Sequence, residues 1–325
     1  MAIIADAVRA RFEAFADAGG GSPAALAAAA RNGDLAAAAD LAAAADLAAL
    51  FFRAGFMEPG EIRTIYDAAA AGWLDDAVDT PGVVSPVECE APRALWSDFW
   101  AFIEDEAPTD AGAFTLRTAG LARHLPPAFD DRAIAASLAF DGVREAAAQG
   151  WPERFRLDVL GRCPTGSLGR EFHALIVDNQ FDLEVLDRDA LGLAHLKPPL
   201  DYLNVRILQC HDLWHIIGGY RTTGLHEVAI SGFQLAQFGH NYSAQFLAVV
   251  AAKTALVRPE GGIVLFSTIF SAWRHGRQTP QLLGVDWPSL WDLPANDIRE
   301  RLGVKVYDSP FPADLLEQLQ AMQAA

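Results

Sequence analysis

From Asp201 to Ala255, apolar residues recur at helical spacing for much longer than a single strand can run, with an interruption at Gly218-Gly219. This predicts two long helices, and such helices must bury their apolar stripes against other helices. The rest of the chain repeats the signal. Leu95, Phe99 and Phe102 fall on one helical face, Ala133–Ala148 reads as an Ala-rich helix, Arg170–Ile176 as another, and Phe266–His275 as a last one ended by Gly276. Arg162–Leu168, RCPTGSL, is a turn by composition, and alternating strand-like runs are scarce. The expected class is all-α, a multi-helix globular fold. The 52% hydrophobic and 21% charged content suits a packed core and excludes a wholly disordered or fibrous chain.

The amino-terminal third has its own texture. Asp6, Glu13 and Asp17 in MAIIADAVRARFEAFADAGG predict a short helix and exclude a secretory or transit leader. Gly19–Ser22 reads as a hinge, with Pro23 opening the next helix. Between Ala24 and Leu50, Asp34, Asp40 and Asp46 each precede a Leu in an Ala-rich run, which is a helical hairpin or a compositional bias. With Arg31, these acids interrupt the run before a bilayer-spanning length accumulates, so membrane contact would be peripheral. The Pro- and Gly-bearing stretch Thr80–Pro92 divides the chain into a helical extension, 1–91, and a core domain, 92–325. The extension reads as ordinary added helices or as a partner-binding or dimerisation element. A net charge of −17 argues against nucleic-acid binding. Cys89, Cys163 and Cys210 form no C-x-x-C pair, which excludes a disulfide framework and a cysteine-built zinc site and points to a reducing, cytoplasmic setting.

The segment that carries chemistry is Gln209–Val228, QCHDLWHIIGGYRTTGLHEV. His211 and His215 are four residues apart, so on a helix their imidazoles share one face and can bind one ion. Glu227 falls in the first turn of the next helix if Thr223 or Gly224 is its cap, and a short antiparallel connection brings it back toward His215. Asp212 lies about 60° around the helix from His215, where it ligates the ion directly or hydrogen-bonds a ligand. Chance produces a His pair at this spacing about 0.2 times in such a chain and the full pattern with both acids roughly 0.003 times, so the motif outweighs a merely packed core. Two His with two carboxylates suit a divalent metal, zinc first, with iron, manganese and cobalt acceptable. His226 and His240 lack such partners and are expected to be satisfied core histidines, and Cys210 to be buried packing.

At these residues the chain resembles a family. H-D-x-x-H, eleven residues, then E, filled by His211, Asp212, His215 and Glu227, looks like the signature of the Coq-four family of ubiquinone biosynthesis. Gly219 and Thr222 resemble its Gly-Met-Pro-Thr loop, Leu225 and Val228 flank Glu227 as in the family, and PTGSLGREF (164–172), AWRHGR (272–277) and LLGVDW (282–287) resemble further family segments. Arg221 replaces the family's loop proline and His226 precedes the Glu. The resemblance spans roughly residues 92–306. It implies a helical protein, often a homodimer, with a divalent metal beside an apolar cavity for a polyprenyl chain. It also implies removal of the carboxyl group at ring carbon 1 of a polyprenylated hydroxybenzoate with hydroxylation there, or a scaffold role toward other quinone-biosynthesis proteins.

Arg274, His275 and Arg277 form a basic cluster in an acidic chain. It reads equally as a solvated helix end or as an anion-recognition group, and Arg274 and Thr222 are the expected substrate contacts. Phe233, Leu235, Phe238, Phe246 and Val249 are core by default, with some of them available to line a lipid cavity. Three functions follow: a metal-dependent enzyme of quinone synthesis, a lipid-binding scaffold with a structural metal, and, distantly, a zinc peptidase in which Asp212 replaces the usual Glu of H-E-x-x-H.

Overall fold

The computed structural model describes residues 4–33, 38–76, 89–105, 111–184 and 186–324. Among them every regular element is helical, in agreement with the expected all-α class. The amino-terminal part supplies α1 (Asp6–Ala18), α2 (Pro23–Asn32), α3 (Ala38–Phe56) and α4 (Ile62–Leu74). Next come α5 (Arg93–Ile103), α6 (Ala111–Leu121), α7 (Ala128–Leu138), α8 (Val143–Ala147), α9 (Leu157–Leu160) and α10 (Leu168–Asn179). The chain then forms α11 (Leu200–Gly218), α12 (Gly224–Phe238), α13 (Asn241–Val257), α14 (Gly262–Gln278), α15 (Ala295–Leu302) and α16 (Leu315–Ala324). Ser22 caps α2, accepting from the Ala25 N–H at 3.3 Å, and Pro23 opens the helix. No described helix is long and apolar enough to cross a membrane.

Three expectations about breaks are corrected. The Ala133–Ala148 helix is two pieces, α7 and α8, parted at Gly142, and the second long helix after the Gly218-Gly219 break is itself divided at Gly239 into α12 and α13. Both glycines hold left-handed φ, +75° and +59°, which ends a helix cheaply only at glycine. Conversely, α14 does not stop at Gly276 but runs through to Gln278. Gly276 is a contact residue there: a Cβ on it would lie 2.7 Å from both the Ala236 Cβ and the Phe233 carbonyl oxygen of α12. The missing side chain lets α12 and α14 approach closely.

The amino-terminal helices build the same core as the rest. α3 packs along α13, and α4 packs on α14. Phe51 stacks on Tyr66 at 4.3 Å, Tyr66 stacks on Trp273 at 4.9 Å, and Phe51 meets Phe266 and Phe270 edge-on. Each such pair adds about 0.5–1.5 kcal/mol beyond area burial. A second aromatic cluster, Phe12, Phe52, Trp96, Phe99 and Trp100, ties α1 and α3 to α5. The buried Arg53 guanidinium anchors this part, donating to Glu61 at 2.7 Å and to the Ala16 and Asp17 carbonyls at 3.0 Å. Most of the Thr80–Pro92 linker lies outside the described residues, as do Asp34 and the side chain of Asp40. Asp46 pairs with Arg11 at 2.7 Å.

Candidate metal centre

α11 is amphipathic only weakly because it is buried on most sides, so its histidines, which point toward α12, are sheltered from water. Gly219 ends it in the left-handed conformation, Gly219–Thr223 forms the loop, and α12 starts with Thr223 as its cap residue, which puts Glu227 in the first turn. The expected helix-loop-helix is therefore present. The carboxy-terminal segment fastens it. Arg299 donates to the Ile217 and Ile216 carbonyls at 3.0 and 2.5 Å, satisfying the end of α11 where a cation is favoured. Tyr307 donates its N–H to the Gly218 carbonyl at 2.8 Å and stacks on Tyr220 at 4.6 Å. The Tyr220 hydroxyl donates to His275 Nδ1 at 2.6 Å, because His275 Nε2 is committed as donor to the Lys305 carbonyl at 2.8 Å.

Between the helices His211, His215 and Glu227 converge, one ligand atom from each lying within 4.8 Å of the others. His211 Nε2 is 3.2 Å from Glu227 Oε2 and 3.2 Å from His215 Nε2, and His215 Nε2 is 3.3 Å from Glu227 Oε1. The His215 side chain is 1% exposed and that of Glu227 is 38% exposed, so the trio is sealed on the histidine side and open to solvent on the carboxylate side. Burial pushes the Glu227 pKa up, but hydrogen bonds and charge from the two imidazoles outweigh it and hold the carboxylate ionised, well below its ordinary range. Burial lowers the His211 pKa, and the partnership with Glu227, helped by Asp212 and Gln234, more than reverses this.

Asp212 is buried and lies outside the trio, with burial raising its carboxyl above the ordinary range against the pull of His211 and His215. His226 accepts the Arg221 N–H on Nδ1 at 2.8 Å, and burial pushes its pKa down. His240 contacts Ser243 Oγ at 2.9 Å and Asn204 Oδ1 at 3.4 Å. Cys210 is fully buried. The basic cluster is shared out: Arg274 pairs with Asp76 at 3.2 Å, Arg277 with Asp67 at 3.4 Å, and His275 with Tyr220. Thr222 is exposed in the 219–223 loop. Phe233, Leu235, Phe238 and Val249 are core residues, and Phe246 is partly buried. Sequence reasoning missed Gln234, whose amide lies 2.8 Å from His211 Nδ1. Its one signal was its place two helical turns beyond Glu227, on the same face.

The family model described as "Coenzyme Q (ubiquinone) biosynthesis protein Coq4" matches residues 152–308. The match covers just under half of the chain, and over that region the chain resembles the Coq4 family. The match contains the trio and the segment through Tyr307 that fastens it, and it begins at 152 rather than near 92. The chain is similar to the mitochondrial ubiquinone biosynthesis protein COQ4 homolog of Rattus norvegicus, 28% identical over 46% of this chain and 54% of that protein. The Drosophila ananassae homolog is 27% identical, again over 46% and 54%. The chain thus spans about half the length of the curated relatives it matches. A solved structure from Nostoc punctiforme, described as that of a candidate ubiquinone biosynthesis protein, overlays with a TM-score of 0.49 at 23% identity, covering 65% of this chain and 97% of that one.

Proposed function

We propose that the protein acts in ubiquinone biosynthesis and that His211, His215 and Glu227 hold a divalent metal, with Asp212 as a fourth ligand or as a hydrogen-bonding group beside them. The observation that carries this reading is the mutual spacing of 3.2–3.3 Å among the three ligand atoms. Bonds of about 2.0–2.1 Å to a tetrahedral ion put neighbouring ligand atoms about 3.3–3.4 Å apart, so the donor set fits. Two neutral imidazoles and one carboxylate suit zinc first, and also iron, manganese or cobalt.

The reaction proposed is loss of the carboxyl group at carbon 1 of a polyprenylated hydroxybenzoate as carbon dioxide, with hydroxylation at that carbon at the expense of an external two-electron oxidant, dioxygen first. When bound, the metal supplies Lewis-acid stabilisation for the charge that develops as carbon dioxide leaves. The protein's own groups do the rest. Glu227 leaves one side of the trio open for a substrate oxygen, while the buried His215 face excludes water. Arg274 can receive the ring's carboxylate by exchanging Asp76, and Thr222 lies in the loop beside the motif. A peripheral position at a membrane surface, delivery from and to other quinone-biosynthesis proteins, and a homodimer belong to the same proposal.

The test is incubation of metal-loaded protein with a prenylated hydroxybenzoate, with and without oxygen, and detection of carbon dioxide. Metal-dependent release that disappears in His215→Ala supports the enzyme. Bound metal with no turnover under either condition overturns it and leaves the lipid-binding scaffold.

A further inference from the structure

The two metal-binding histidines are held differently. His215 Nδ1 is buried with no hydrogen-bond partner, whereas His211 Nδ1 lies 2.8 Å from the amide of Gln234. Gln234 is 3% exposed and stands seven residues after Glu227 on α12, so one face of that helix reaches both ring nitrogens of His211: Glu227 at Nε2 and Gln234 at Nδ1. A neutral imidazole carries one proton, on one nitrogen, and accepts at the other. For Nε2 to offer its lone pair to a cation, the proton sits on Nδ1, which then needs an acceptor. The Gln234 amide stands at that place and, turned by half a rotation, presents its oxygen there. A carboxylate at this position would also accept from Nδ1–H, and an apolar residue would not.

We infer that Gln234 is a positioning residue for His211, its carbonyl oxygen accepting from Nδ1–H so that Nε2 faces a divalent cation. The inference rests on the metal reading above. It gives α12 a second task beside presenting Glu227, and it explains why a glutamine is buried in an otherwise apolar stretch between Phe233 and Leu235.

The test uses the full chain with Zn2+ and Co2+ as probes and compares wild type, Gln234→Leu and the near-isosteric Gln234→Glu. Partners of this kind are worth about 10–100-fold in metal affinity, so Gln234→Leu should bind Zn2+ weaker by that factor while Gln234→Glu restores binding to wild-type strength or better. Nitrogen NMR of histidine-labelled, Zn2+-loaded protein, with His211 assigned from the signal lost in His211→Asn, should place its proton on Nδ1 and show that N–H protected from solvent exchange in wild type but not in Gln234→Leu. If wild type and Gln234→Leu bind equally tightly, or if the His211 Nδ1–H exchanges freely in Zn2+-loaded wild type, the role of Gln234 is overturned while the metal site stands. If wild type binds neither ion, the metal reading falls and takes this inference with it. Should Gln234→Leu fail to fold, the affinity of Gln234→Glu and the exchange protection of the His211 Nδ1–H in Zn2+-loaded wild type still decide.

Discussion

His240 shows how one residue can set the acid response of the fold. Burial, then the charge of His211, pushes its pKa from the ordinary 6.5 down to about 3, so the native ring stays neutral where the unfolded one takes a proton. Its stabilising contribution is whole above pH 6.5 and is lost as the pH falls from there toward 3, at about 1.4 kcal/mol per unit. The stability difference between wild type and His240→Gln, measured by urea unfolding, should therefore narrow as the pH drops from 7 to 4. A difference that stays constant would show that His240 titrates normally. Tyr220 makes a second case. Tyr220→Phe leaves the partly buried His275 Nδ1 without its donor, which costs about 1 kcal/mol. A drop in melting temperature of a few degrees with metal content unchanged is expected, since the hydroxyl fastens the loop rather than the ion.

At the scale of the helix, much was legible and the misses have a common cause. His211, His215 and Glu227 were readable because metal ligands are rare residue types at a spacing that helical geometry enforces. Gln234 was not, because a glutamine in a helix usually faces water and nothing local announces a tertiary partner. The same holds for glycine. Gly142 and Gly239 divide helices whose composition reads as continuous, while Gly276, which looks like a terminator, is kept inside α14 by its contact with α12. Gly276→Ala should press a Cβ into Ala236 and the Phe233 carbonyl and cost about 1–3 kcal/mol. Thermal unfolding would register this as a fall of several degrees. An unchanged melting temperature would mean that the two helices part freely.

At the scale of the molecule, the described helices before residue 92 and those after it share one hydrophobic core. The division into 1–91 and 92–325 rests on the composition of the linker, but Phe51 and Tyr66 pack among Phe266, Phe270 and Trp273. Calorimetry of the full chain should show one cooperative transition, and a chain beginning at residue 92 should expose that aromatic face and aggregate. Two separate transitions, or a well-behaved shortened chain, would make the amino-terminal helices an independent unit. The packing also bears on the site, because α14 packs on both α4 and α12, the helix that presents Glu227. The most direct measurement is elemental analysis of purified wild-type protein beside His215→Ala and Glu227→Gln. About one divalent ion per wild-type chain, lost in both variants while their helical spectra remain unchanged, is the predicted result. No metal in the wild type, or equal metal in all three, would contradict the site on which the account rests.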